Sequence, residues 1–235
     1  MTLAADLDHA VEQHDPDRWL ASRFVGDAAA RADLITLYAL NHELARVAET
    51  VTEPLLGHMR LAWWREGVEE AAEGTIRAHP VMEALAEALG RGAFAVEDLV
   101  ALVDGRGGDL EPEALATEAG LLAHIDDTAG RVAATAARRL DPAAEPSAVT
   151  EAMRAWGLAG MARNRRLPPG WDEARVAAAV AAHLAAARAP LRALPVAAFP
   201  AVAYATLSRT YARGGAPGPL RKRFALLKAS ATGRL

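Results

Sequence analysis

Apolar residues recur at steps of three and four positions along most of the chain, which is the spacing of one helix face. The repeat is clearest between Asp27 and Val51, where the sequence predicts a long amphipathic helix. Its repeating positions are Leu34, Leu37, Tyr38, Asn41, Leu44, Ala45 and Ala48. Pro54 suits the first turn of a second helix, which carries two adjacent tryptophans and is predicted to end near Ala72.

Further helix starts are marked by a proline, an acid or both. They lie at Pro80, near Val96, at Pro112 and near Pro146. The turn-rich segments between helices are short, and none has the composition of a flexible interdomain linker. The sequence therefore predicts about ten antiparallel helices of average length, joined by short loops around one cavity.

The composition favours one all-α domain. Hydrophobic residues make up 52% of the 235 residues and aromatic residues only 5%. Ala and Leu supply most of the hydrophobic fraction, which favours helix over sheet. A chain of this length buries about 70% of its unfolded surface in a single core. We therefore expect residues 1–235 to form one domain.

Charge and cysteine content exclude several classes of function. A net charge of −4 provides no global positive field, so nucleic acid is not an expected partner. The absence of cysteine excludes disulfides, thiolate catalysis and Cys-based metal sites. The histidines lack metal-binding spacing, and the glycines at 105–108 form a turn rather than a phosphate loop. We expect neither a metal nor another cofactor.

The start of the chain and its longest apolar region bear on location. Residues 1–8 lack the basic and apolar regions of a signal peptide. The apolar region 176–207 is interrupted by charged residues and prolines, so it never reaches the ~20 uninterrupted apolar residues of a membrane span. We expect a cytoplasmic protein.

The C-terminal segment 209–235 contains cations and no acid. Its cations are Arg209, Arg213, Arg221, Lys222, Arg223, Lys228 and Arg234. One interpretation is an ordinary solvated tail. The other follows from Phe224, Leu226 and Leu227 beside the cations, and predicts contact with an anionic membrane surface or an acidic partner. That contact would locate the protein at the periphery of the inner membrane.

Three short motifs follow one another in the first part of the chain. They are YALNHEL at 38–44, LAWWR at 61–65, and AG at 129–130 after a Leu-Leu pair at 121–122. Their order and spacing resemble the squalene/phytoene synthase family, over roughly residues 15–167. The resemblance implies a helical bundle of the isoprenoid synthase type around a central cavity.

Enzymes of that family join two prenyl diphosphates head to head. Two aspartate-rich motifs on facing helices hold the magnesium ions that neutralise the diphosphates. The first motif is expected just after Leu44, but this sequence has Ala45, Arg46 and Ala48 there, with only Glu49 as a carboxylate. Arg46 would put a positive charge at the metal position, so this helix is not expected to bind magnesium.

Glu43, Arg46 and Glu49 also lie three residues apart on one helix. They form either a solvated ion-pair ladder or the relic of a diphosphate site.

The second aspartate-rich motif is expected before Arg166, yet the run WGLAGMARN at 156–164 contains no acid. The Asp126–Asp127 pair lacks a third carboxylate four residues later, which favours a solvated turn or a cap over a cation site.

The resemblance also nominates candidate site residues. The candidate pocket-lining residues are Tyr38, Asn41, Trp64 and His124. The candidate diphosphate contacts are Arg46, Arg163 and Arg165, since guanidinium groups pair well with phosphate. Trp63 and Trp64 point about 100° apart on a helix, so only one of them faces the core squarely.

Three functional hypotheses remain open. The segments at 41–45, 51–53 and 60–65 resemble most closely the non-catalytic branch of the family, typified by the mitochondrial complex I assembly factor. That resemblance implies a pseudoenzyme that binds a prenyl lipid or a protein partner, in respiratory-complex assembly. The alternatives are an active prenyltransferase that uses magnesium at an unusual site, and an unrelated helical scaffold.

Overall fold

A computed structural model describes residues 3–235, and over that range it contains twelve α-helices and no strand. The predicted all-α class is confirmed. The helices are α1 Leu3–His14, α2 Pro16–Ser22, α3 Ala28–Thr50, α4 Pro54–Ala72, α5 Pro80–Gly90, α6 Val96–Gly105, α7 Glu118–Ile125, α8 Arg131–Leu140, α9 Thr150–Arg163, α10 Glu173–Ala186, α11 Ser208–Tyr211 and α12 Pro219–Thr232. Residues 1 and 2, where the predicted domain begins, lie outside the described residues.

Local capping chemistry sets the limits of the two longest helices. The carboxylate of Asp27 accepts a hydrogen bond from the amide of Ala29 at 2.9 Å, and so caps α3. Val51 is extended and ends the helix, and Pro54 begins α4. The observed limits therefore lie within one residue of the predicted ones.

Two predicted helix starts differ from the structure. Pro112 begins only a 3₁₀ turn, Pro112–Leu115, and α7 starts later, after Thr117 caps the amide of Gly120 at 3.1 Å. Pro146 likewise begins a 3₁₀ turn that precedes α9. A proline fixes one backbone angle but supplies no cap, so the helix begins where a capping side chain or core packing supports it.

α7 and α8 are joined by a π-helical turn, Asp126–Gly130, so the two helices run on as one rod. Such wide turns occur mostly as single turns within α-helices and are frequent at functional sites. The Asp126–Asp127 pair lies in this turn, and the π geometry of the turn was not predicted from the sequence.

α3 is the central helix of the bundle. It packs against α1, α2, α4, α5 and α8, and its buried residues include Leu34, Leu37, Tyr38 and Leu40. One hydrophobic core extends from Leu7 in α1 to residues of α12. Within residues 3–235 no helix combines the length and apolar composition that crossing a membrane requires.

Candidate functional site

One side of α3 carries a row of residues from the interior to the surface. Tyr38, Asn41, Ala45 and Glu49 follow at three- and four-residue steps, which puts them on one helix face. Tyr38 and Asn41 are buried, Ala45 is partly buried and Glu49 is exposed. The first aspartate-rich motif of the resembled family would extend this row, and here Ala45 leaves a gap in it.

The buried end of the row joins an ionic network. Arg106 donates a hydrogen bond to the Oδ1 atom of Asn41 and another to Oδ2 of Asp109 at 3.1 Å. Arg166 donates to Oδ1 of Asp109 at 2.8 Å, and Nε2 of His124 lies 3.3 Å from the same oxygen. We term these five residues the buried network. It connects α3 to the turn after α6, to α7 and to the segment after α9.

The charges of the buried network depend on one another. Burial alone would raise the pKa of Asp109, but His124, Arg106 and Arg166 together hold that pKa well below its usual range. Burial lowers the pKa of Arg106, and the nearby Arg18 and Arg166 lower it further. Asp109 raises this pKa but does not fully offset those effects. Asp109 is therefore held as a carboxylate by surrounding cations.

A third arginine lies beside the network. Arg18 is buried, pairs with Asp15 at 2.6 Å and lies over the ring of Tyr204 at 4.9 Å from its centroid. The ring of Tyr38 is 5.9 Å from the same guanidinium carbon. Three arginines, Arg18, Arg106 and Arg166, thus pair with only two aspartates, Asp15 and Asp109, so these five groups carry an excess of positive charge.

Several buried polar atoms of this region lack a hydrogen-bond partner among the described residues. They are the hydroxyl oxygen of Tyr38, Nε of Arg18, Nε of Arg106 and Nδ1 of His124. Most of these atoms are donors, and buried donors favour a polar or anionic partner. The unpaired buried atoms therefore suit an anionic or polar ligand and not a cation.

The residues present do not fit magnesium. Hard divalent cations need several free carboxylate oxygens, whereas Asp109 is already bound by two arginines. Asp126 accepts from Arg154 at 2.7 Å and Asp127 from Arg131 at 3.0 Å. Within the described part of the chain, no group of three or more acids and histidines is arranged to hold a metal.

A surface groove of about 380 Å³ lies between α3 and α4. Its lining residues are Glu43, Arg46, Val47, Thr50, Arg60, Trp63 and Trp64. Arg46 lies 3.5 Å from Glu43, and Arg60 donates to the hydroxyl of Thr50 at 2.6 Å. Arg46 therefore lines this groove, on a different side of α3 from Tyr38 and Asn41.

The two tryptophans have different environments. Trp64 is buried and its ring centroid lies 4.9 Å from that of His79, whereas Trp63 is 39% exposed. Trp64 lines the groove and takes no part in the buried network. Of the four candidate pocket residues, Tyr38, Asn41 and His124 therefore come together and Trp64 lies apart.

The three candidate diphosphate contacts do not converge. Arg46 lines the groove between α3 and α4, whereas Arg163 and Arg165 line a depression of about 570 Å³ with Trp171 and Tyr211. Arg163 lies over the ring of Tyr211 at 4.7 Å from its centroid. A single diphosphate held by all three arginines is incompatible with this placement.

Sequence reasoning missed the arginines and the aspartate that form the buried network. Arg106 lies among the glycines of the 105–108 turn and Asp109 follows them, and their spacing of three residues was the available signal. A Cβ atom at Gly108 would lie 2.7 Å from Nδ1 of His124, so a glycine is needed for the close approach of the two segments. That requirement ties the turn to the network.

Comparisons with known proteins agree with this architecture. The family model described as squalene/phytoene synthase matches residues 11–165, more than half of the chain. No curated protein matches the chain in sequence. A solved structure described as a dehydrosqualene synthase in complex with ligand has a TM-score of 0.75 and 12% sequence identity, over 97% of this chain and 95% of that chain. The structural match confirms the predicted helical fold of the isoprenoid synthase type.

Proposed function

The chain belongs to the squalene/phytoene synthase family, and we propose that it is a pseudoenzyme of that family, which binds a lipid or protein partner without condensing prenyl diphosphates. The observation that carries the proposal is the chemistry of the interior. Where the reaction needs free carboxylates for magnesium, this chain has Ala45 in the row on α3 and arginines paired with Asp109 in the buried network.

Arginines alone do not replace the missing metal. Breaking the bond between carbon and diphosphate requires stabilisation that is stronger in the transition state than in the ground state. A guanidinium group that pairs with the diphosphate equally in both states binds the substrate but leaves the barrier unchanged. Arg18, Arg106 and the unpartnered donors beside them therefore support ligand binding without turnover.

An exposed apolar row on α4 supports a protein partner. Its members share one end of the helix and are largely solvent-exposed: Leu55, Leu56, Met59 and Trp63. Contiguous apolar surface of this kind favours binding, and tryptophan is frequent among residues that dominate interfaces. By the resemblance to the assembly-factor branch, we extend the proposal to a partner in respiratory-complex assembly.

The catalytic part of the proposal is tested by product formation. Purified protein is incubated with farnesyl or geranylgeranyl diphosphate, magnesium and a reductant, and a dehydrosqualene synthase is assayed in parallel as the positive control. We expect no squalene- or phytoene-type product above a boiled sample. A product that disappears in Glu49→Gln would contradict the proposal and establish the alternative, an active prenyltransferase with an unusual site.

Calorimetry separates binding from turnover. Titration with a farnesyl diphosphate analogue is run with and without magnesium. Heat that is the same in both conditions agrees with direct binding by arginines, and heat that requires magnesium favours the alternative enzyme.

The partner is tested by affinity capture from the native cell, with Met59→Lys as the matched variant. Recovery of respiratory-complex subunits by the wild-type chain, lost in the variant, supports the assembly role. Recovery of none of these subunits, or equal recovery by the variant, contradicts it.

A further inference from the structure

α12 has two sides of opposite character. Leu226 and Ala229 are buried in the core, whereas Leu220, Phe224 and Leu227 are 68%, 69% and 52% exposed. At about 100° per residue, positions 220, 224 and 227 fall within roughly 60° of one another, on the side opposite Ala229. The helix therefore presents a narrow apolar row to the outside.

The inward side of α12 is fixed by a buried carboxylate. Lys222 donates to Oδ1 of Asp17 at 2.7 Å, and the hydroxyl of Tyr211 donates to Oδ2 at 2.6 Å. Burial opposes the charge of Lys222, but its hydrogen bonds to Asp17 and Tyr211 outweigh burial and raise the pKa of the lysine. This contact fixes the rotation of the helix and so keeps the apolar row outward.

Exposed cations flank the row on both sides. Arg221 and Lys228 lie about 80–100° to one side of Leu220, and Arg223 lies about 60° to the other. No acid occurs anywhere in 209–235. The outer side of α12 thus combines large apolar side chains with unopposed positive charge.

The apolar and basic surface continues beyond α12. Val196 is 85% exposed and lines a depression of about 490 Å³ together with Leu227. An adjoining depression, also lined by Val196, contains the cations Arg188, Arg192 and Arg234. Asp27 also lines the first depression, but its carboxylate caps α3.

We infer that this α12 face, formed by Leu220, Phe224 and Leu227 with Arg221, Arg223 and Lys228, docks on the surface of a lipid bilayer that contains anionic lipids. The row lies on the convex outer side of a helix, with cations on both flanks. Apolar side chains in this arrangement enter the boundary between headgroups and acyl chains, while long basic side chains reach lipid phosphates. The inference does not depend on the proposed function.

The test is co-sedimentation of the full chain with vesicles. One set contains phosphatidylcholine alone, and the other equal parts of phosphatidylcholine and phosphatidylglycerol. We expect binding to the mixed vesicles at low salt, a decline as salt rises, and little binding to phosphatidylcholine alone. Absence of binding to the mixed vesicles at low salt, or equal binding to both sets, would overturn the inference.

Substitutions on α12 identify the surface. Neutralising two cations with Arg221→Gln and Arg223→Gln should weaken binding about thirtyfold, since each cation near an anionic surface contributes about fivefold. Phe224→Ser should weaken it about tenfold, and Phe224→Trp should retain it because tryptophan suits the interface. These side chains are exposed, so circular dichroism should be unchanged in each variant.

The matched control lies on α4, where Leu55→Gln with Met59→Gln removes apolar side chains of similar exposure. This variant should retain vesicle binding. Equal loss in the α4 variant, or no loss in the α12 variants, would overturn the inference. Capture of an acidic protein through Arg221 and Arg223 without vesicle binding would assign the surface to a protein and also overturn it.

Discussion

At the scale of single residues, Asp109 is central to the buried network, because its one buried carboxylate contacts Arg106, Arg166 and His124. Asp109→Asn removes the charge and leaves two guanidinium groups without it. We expect a loss of about 3 kcal/mol in the free energy of unfolding, measured with urea, as for other broken buried ion pairs. The control is Asp104→Asn, an exposed carboxylate 3.4 Å from Arg65, which should cost less than about 1 kcal/mol.

The low pKa of Asp109 predicts that the stability of the folded chain depends on pH. The pKa of Asp109 is held below its ordinary value of 3.8 in the folded chain. The contribution of Asp109 to stability is therefore present above its pKa in the unfolded chain, and is lost as the pH falls towards its pKa in the folded chain. The stability difference between wild type and Asp109→Asn should stay constant above about pH 5 and narrow below it. A difference that persists unchanged in acid would contradict this assignment.

The sequence predicts some site residues and misses their partners, for a physical reason. Tyr38 and Asn41 lie in the motif at 38–44, and His124 was nominated by the resemblance; Asn41 and His124 meet in the buried network, with Tyr38 one turn away on α3. Arg106 lies 65 positions from Asn41 along the chain, and Arg166 lies 57 from Asp109. Helical periodicity reports which residues share a face, but it contains no information about pairing between distant segments.

At the scale of elements, α9 contains two glycines with opposite surroundings. A Cβ atom at Gly157 would overlap the side chain of Ile125, whereas nothing lies within 4 Å of one at Gly160. Gly157→Ala should destabilise the chain by about 1–3 kcal/mol because it forces α9 away from α7. Gly160→Ala should stabilise it by up to about 1 kcal/mol, because alanine favours the helix. Thermal unfolding measures both, and shifts of the same sign would contradict the packing of α9 on α7.

Element limits were predictable where the determinant is local. Asp27 and Pro54 mark α3 and α4 within one residue, because a cap and a proline act on their own turn. Pro112 was misleading, since the cap at Thr117 decides where α7 begins. The π turn Asp126–Gly130 packs against α9, where Arg154 binds Asp126, and no local sequence pattern predicts a contact between such distant segments.

At the scale of the whole molecule, one hydrophobic core includes residues from α1 to α12. The prediction that residues 1–235 form one domain therefore requires cooperative unfolding. Urea transitions followed by far-ultraviolet circular dichroism and by tryptophan fluorescence should coincide, since the tryptophans lie on several elements between Trp19 and Trp171. Two separated transitions would show independent units and contradict the single domain.

Because α12 belongs to that core, its removal should change the stability of the whole chain. Deletion of residues 219–235 removes the buried Leu226 from the core and eliminates the hydrogen bond between Lys222 and the carboxylate of Asp17. Loss of one buried leucine costs about 2–5 kcal/mol, so we expect a markedly lower melting temperature by differential scanning calorimetry, with Phe224→Ser as the unchanged control. An unchanged melting temperature in the truncated chain would contradict the packing of α12 on the core. Because truncation lowers stability and also removes the α12 face, loss of vesicle binding in the truncated chain would not identify its cause. Only the substitutions of exposed residues on α12 separate lipid binding by this face from its role in the fold.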